Sequence, residues 1–308
     1  MISLEGVFFR QARLLLQVLP VIARDRRFAL KGGTAINLFL RDMPRLSVDI
    51  DLTYLPLEPR VEALRSMVEG LNEMTSRITR LFPTLRVTTL GAGGEAGPGK
   101  LAIRGDGVQI LVEPNTVLRG SVFPPIEREL SPSAVRLFEM SATVQTLSVA
   151  DLYGGKLCAA LDRQHPRDFF DLMILLEHES LTEEIRKAFL VYLVSGVRPM
   201  NELLDPRYVD IHSVFERQFQ GMSDREVTYQ ELEEARRRIV ALIRSSLTSS
   251  ERDFLLSIKE GEPRWHSLGI PGVEALPAIQ WKLENIRRMD PKKHAQALDK
   301  LRRVLELS

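Results

Sequence analysis

Apolar positions at helical spacing open the chain: Val7, Phe8, Leu14, Leu15, Val18 and Ile22 predict a first helix over residues 5–25, with a kink expected at Pro20. Phe28–Lys31 then reads as a strand, residues 34–41 as a short amphipathic helix, and residues 48–52 as a second strand. Arg60–Phe82 carries a long helical pattern, and Leu85–Leu90, Leu101–Arg104 and Val108–Asn115 alternate as strands. Residues 121–147 contain prolines and then look β-like at 135–138 and 142–147. Beyond Ser148 the pattern is helical: 149–163, a new helix from Arg167 after Pro166, then 182–195, 208–220, 228–246, 251–260, 275–289 and 291–306. Strands mixed with helices, followed by helices alone, predict an α/β (α+β) domain with a mixed sheet over 1–148 and a helical domain over 149–308. No internal repeat interrupts this division.

Composition narrows the class. At 308 residues, 44% hydrophobic and 27% charged, the chain is an ordinary globular sequence of about two domains. A formal net charge of +1 gives no global pull toward nucleic acid, so any such surface must be local. One cysteine, Cys158, excludes an internal disulfide framework and reads as a buried apolar residue. The five histidines lack zinc spacing. No stretch of 18 apolar residues spans a membrane, and Met1–Gly6 carries no basic-then-apolar leader, so a cytoplasmic protein is expected.

Chemistry concentrates in residues 31–52. On a strand, Asp49 and Asp51 share one face, while Val48, Ile50 and Leu52 point the other way into a core. Two carboxylates so close repel, which favours a cation between them. A hard divalent ion, Mg2+ or Mn2+, suits such oxygen donors and leaves positions for water and phosphate. Upstream, Gly32-Gly33 precedes the helix that starts at Thr34, where free N–H groups and the dipole favour a phosphate. The bland alternative, two surface aspartates on an edge strand, fits poorly with apolar residues opposite them.

Elsewhere the signals differ in strength. Gly94–Lys100 fits G-x-x-x-x-G-K literally, but Leu101 replaces the required Ser or Thr and begins a strand, so a flexible hairpin loop is expected. Arg104-Gly105-Asp106-Gly107 is a tight turn by composition. Ser148 with Asp151 forms a capping box, which makes Asp151 structural. Lys156 can neutralise phosphate charge. Asp168 and Asp171 lie one turn apart on a helix start beside Arg167. The basic clusters at 236–238, 287–288, 292–293 and 302–303 read as solvated faces that could together line an RNA groove. Trp265 and Trp281 read as core packing.

Gly-Gly-Thr, a helix and Asp-x-Asp resemble the polymerase-β-like nucleotidyltransferases. The fuller string from Leu30 to Leu52 resembles the AbiEii/AbiGii toxin family of that superfamily, as do Lys156 and Arg167-Asp168-Phe169-Phe170-Asp171. Asp49 and Asp51 match the family's metal carboxylates, and Glu113 matches a third on a neighbouring strand. Gly32, Gly33, Thr34 and Ser47 match its phosphate cradle. Lys156, Arg167, Asp168 and Asp171 match its nucleotide-binding and catalytic set. The resemblance implies a bilobed transferase with an NTP–metal complex in its cleft, an antitoxin partner of the type IV kind, and nucleotide transfer to RNA, most plausibly the tRNA 3′ end. A small-molecule nucleotidyltransferase and a nucleotide-binding protein without turnover are the alternatives.

Overall fold

The computed structural model describes residue 4, residues 6–91 and residues 97–306. The leader reading at Met1–Gly6 and the centre of the glycine loop, 92–96, fall wholly or partly outside them. The chain divides into two compact units, 1–152 with 219–226, and 153–218 with 227–308.

In the first unit α1 (Val7–Ile22) continues past Pro20 to Ile22. Its Leu15, Val18 and Leu19 are buried against a seven-stranded mixed sheet ordered β3-β4-β5-β2-β1-β7-β6. The strands are β1 (Phe28–Lys31), β2 (Asp49–Tyr54), β3 (Arg86–Leu90), β4 (Lys100–Gly105), β5 (Val108–Asn115), β6 (Ile126–Glu129) and β7 (Thr143–Thr146). Here β2 lies inside the sheet, antiparallel to β1 and parallel to β5, so its aspartates are not on an edge. The β4–β5 hairpin closes on Asp106 and Gly107, both at positive φ (49° and 72°), the two-residue turn that composition indicated. Packed against α1 and β3, α3 (Arg60–Leu81) buries Ala63, Met67, Leu71, Met74 and Ile78 along one stripe.

Residues 135–138, expected as β-like, lie in helix α4 (Pro132–Phe138). Ser131-Pro132 starts it, with Pro at the first helical position where a missing N–H costs nothing. Ala134 and Phe138, four apart, then bury one face, and Phe138 stacks on Phe9 at 5.1 Å between centroids. Tertiary packing overrides the alternation of Val135-Arg136-Leu137-Phe138.

The helix α5 (Val149–Arg163) begins at the end of the first unit. Ser148 Oγ accepts from the Asp151 amide at 3.0 Å, and the Asp151 carboxylate takes the amides of Val122 and Phe123 at 2.8 and 3.0 Å. Asp151 is structural, as the capping box implies.

The second unit is helical: the rest of α5, then α6 (Pro166–His178), α7 (Glu183–Ser195), α8 (Met200–Leu204), α9 (His212–Gln218), α10 (Tyr229–Ser246), α11 (Ser249–Glu260), α12 (Pro277–Arg287) and α13 (Pro291–Val304). Thr228–Glu231 and Thr248–Glu251 are complete capping boxes that set where α10 and α11 begin. Two side chains depart from expectation. Arg236, read as solvated, is buried: it donates to Val209 O at 2.8 Å, pairs with Glu233 at 2.8 Å and lies over the Tyr208 ring. Trp281, read as core, is 53% exposed, because it falls on the outer side of α12, whose Ala278, Ile279, Leu283 and Ile286 face inward. Trp265 packs near Phe254 with the rings tilted, centroids 5.9 Å apart.

Candidate active site

The glycine turn links β1 to a helix in two parts. α2 (Gly32–Ala35) is one α-turn, and residues Ile36–Leu40 form a π-turn, a widening that recurs at functional sites. Gly32 has φ +70°, which a side chain would strain, and a Cβ there would collide with Asp51 Oδ2. A Cβ on Gly33 would stand 2.6 Å from Arg45 Nη2 and 3.2 Å from Ser47 Oγ. The two glycines thus let a carboxylate and a guanidinium approach the backbone closely.

Thr34 and Ser47 are buried and hold this turn to β2. Thr34 Oγ1 donates to the Asp49 carbonyl at 2.5 Å and lies 2.8 Å from Ser47 Oγ. Asn37 donates to Gly33 O at 2.9 Å from the π-turn. These hydroxyls hold the turn to the backbone of the first aspartate. Arg45, unmarked by sequence reasoning, is 2% exposed and donates to Leu46 O at 2.8 Å. Its loop is held within the first unit by residues 222–224: Leu46 N donates to Met222 O, and Asp224 N to Pro44 O. Nothing local in the sequence announces that contact.

Asp49 and Asp51 are half-buried, while Ile50 and Leu52 between and beyond them are buried, the alternation the sequence predicts. Register assigns the neighbours. Asp51 lies opposite Lys31 on β1 and opposite Glu113 on β5. Glu113 Oε2 in turn accepts from Lys100 Nζ of β4 at 2.7 Å. Two half-buried carboxylates on one strand face are hard oxygen donors of the kind Mg2+ or Mn2+ takes, and the missing Cβ of Gly32 lets the Asp51 carboxylate lie directly against the glycine turn. Asp49 and Asp51 therefore fit a divalent ion. Glu113 stands next to Asp51 but is held by Lys100, and among the described residues no group of three or more acidic, His or Cys side chains converges as a metal site.

The second motif is built differently. Lys156 Nζ lies 3.0 Å from Asp168 Oδ1 and 2.9 Å from Asp171 Oδ2. The structure thus brings together the lysine of α5 and both acids of α6, which periodicity across Pro166 left open. Arg163, missed in the sequence, grips Asp168 with two bonds, Nε to Oδ2 at 2.5 Å and Nη2 to Oδ1 at 2.8 Å. Its signal was present: Lys156 and Arg163 stand two turns apart on one face. Gln164 at φ +49° ends α5, and His165 caps α6 by accepting the Arg167 amide at 3.1 Å. Arg167 itself is half-buried at that cap. The Lys156, Asp168 and Asp171 side chains are 4%, 1% and 0% exposed. Burial alone would push the Asp168 carboxyl up, but Lys156 and Arg163 hold it well below the usual carboxylate range. Such a carboxylate is a weak base, so proton abstraction by Asp168 is disfavoured. Cys158, two residues from Lys156, has its thiol pushed up by burial. A hollow of about 490 Å3 beside α8, α10 and the end of α13 contains none of the motif residues.

No helix among the described residues is long and apolar enough to cross a membrane. No curated protein matches the chain. Among solved structures, the nucleotidyltransferase toxin MenT4 from Mycobacterium tuberculosis is similar in fold, with TM-score 0.59 at 14% identity over 96% of this chain and 93% of that one. Terminal uridylyl transferase 4 from Trypanosoma brucei, with bound GTP, reaches only 0.29 at 13% identity over 94% and 90%, too little to bear on the fold. The profile of the family described as nucleotidyl transferase AbiEii toxin, type IV toxin–antitoxin system, matches residues 13–285. With the glycine turn, the Asp-x-Asp strand and the lysine–aspartate motif all present, the chain belongs to the AbiEii nucleotidyltransferase toxins, enzymes whose type IV systems imply a partner antitoxin.

Proposed function

We propose that the chain transfers a nucleoside monophosphate from an NTP to the 3′ end of tRNA, and so blocks translation and growth until its antitoxin intervenes. The observation that carries this reading is the half-buried carboxylate pair Asp49 and Asp51 set against the Gly32-Gly33 turn. Asp49 and Asp51 would hold Mg2+ or Mn2+, and the bound ion supplies neutralisation of the triphosphate and of the leaving pyrophosphate.

The Gly32 and Gly33 amides face the phosphates, and Arg45 adds positive charge beneath them. The acceptor hydroxyl oxygen forms its bond to the α-phosphorus, the bond to the β-phosphate breaks, and pyrophosphate departs with its electrons. The hydroxyl proton passes to the carboxylate pair of the first unit. Lys156, Asp168 and Asp171, with Arg163 and Arg167, act as positioning residues of the second unit.

The test incubates purified protein with total tRNA, Mg2+ and each α-labelled NTP in turn, with Asp49→Ala alongside. Label on tRNA with the wild-type chain alone supports the reading and names the nucleotide. Label on no RNA with any NTP contradicts an RNA acceptor and favours a small-molecule one.

A further inference from the structure

Lys100 completes the G-x-x-x-x-G-K string that looked like a phosphate loop, yet it lies on β4 and makes a different contact. It stands directly across from Glu113 in the β4–β5 hairpin, whose register pairs Leu101 with Val112, and its ammonium reaches Glu113 Oε2 at 2.7 Å. The sheet therefore carries one row across four adjacent strands: Lys31 on β1, Asp51 on β2, Glu113 on β5 and Lys100 on β4. The order of charge is plus, minus, minus, plus. Adjacent strands sit about 4.8 Å apart, so Asp51 and Glu113 are close enough for a single cation to draw on both. Instead, Glu113 is turned to the lysine on its far side. That lysine is 53% exposed and Glu113 28%, so the pair is a surface-like contact of small strength, one that a divalent ion can contest.

We propose that Lys100 is a positioning residue that holds Glu113 off the cation at Asp49 and Asp51, so that the free protein presents two carboxylates and the third joins only when Lys100 lets go. The inference rests on the reading of Asp49 and Asp51 as a metal site. Lys100 acts as a built-in competitor: by engaging Glu113 it withholds a third carboxylate from free Mg2+ or Mn2+. Because the contact is exposed, Lys100 variants leave the sheet intact.

Mn2+ binding to the full-length chain, followed by electron paramagnetic resonance without nucleotide, tests this. Lys100→Met tightens Mn2+ by about three- to tenfold, the size expected for removing one half-exposed charge near a divalent ion, whereas Lys100→Arg stays near wild type. In a Glu113→Gln background the same Lys100→Met change gives no gain, because the acid it released is gone. An unchanged affinity in Lys100→Met, or a gain that persists with Glu113→Gln, overturns the proposal while leaving the metal site in place. Mn2+ binding no stronger than that of Asp49→Ala in every variant removes the metal reading itself, and the proposal with it.

Discussion

Two sets of four charges, each with two cations and two carboxylates, sit in the two units. In the first unit Lys31, Asp51, Glu113 and Lys100 form a row on a half-open sheet face. In the second, Lys156, Arg163, Asp168 and Asp171 form a knot whose acids and lysine are withdrawn from water. Composition is the same, and burial separates the roles. On the open face the Lys100–Glu113 contact is weak and replaceable, as the proposed exchange of partners with a metal requires. In the knot, losing one partner strands a charge in a poorly solvated interior, which suits groups that fix two helices.

That contrast yields graded predictions. Asp49→Asn or Asp51→Asn lowers nucleotide transfer by about a thousandfold or more, the scale of removing preorganised charge from a transferase centre, with the urea midpoint close to wild type. Lys156→Met or Asp171→Asn costs about 3–5 kcal/mol of folding stability, read by urea unfolding, and activity falls with it. The pH profile separates the knot further. Asp168 has a folded pKa below its unfolded value of 3.8, so its stabilisation is present in full above that value and is lost as pH falls beneath it. Wild type therefore loses stability across that acid range, and Asp168→Asn shows a flatter curve in thermal melts at pH 2 to 5. Gly32→Ala, which meets both a positive φ and the Asp51 carboxylate, costs about 1–2 kcal/mol and raises the KM for NTP, measured by initial rates. Trp281→Ala, on an exposed helix face, shifts stability by less than about 0.5 kcal/mol.

Much of this was legible because it is local. The alternation around Asp49 and Asp51, the turn at Asp106-Gly107, the cap at Ser148 and the helices from Thr228 and Thr248 follow from period and end chemistry within a few residues. What was not legible is set by register and packing. Nothing in the sequence sets Asp51 beside Glu113, because that neighbourhood comes from strand order and not from a local turn. Arg45 looked like loop until residues 222–224 closed over it. The Val135–Phe138 run alternates as a strand would, and only the buried faces of Ala134 and Phe138 make it a helix. Arg236 stands in a run of three arginines, of which Arg236 turns inward while Arg237 and Arg238 stay exposed. The lysine–aspartate motif was recognisable, but its burial was not.

The most direct measurement compares Asp51→Asn with Asp171→Asn, each assayed for urea unfolding and for transfer of labelled nucleotide to tRNA. The account predicts that Asp51→Asn folds like wild type and transfers nothing, whereas Asp171→Asn loses several kcal/mol of stability, about 3–5 by the cost of a broken buried pair. An Asp171→Asn chain as stable as wild type but inactive would contradict it, because the buried knot would then be part of the chemistry and not its brace.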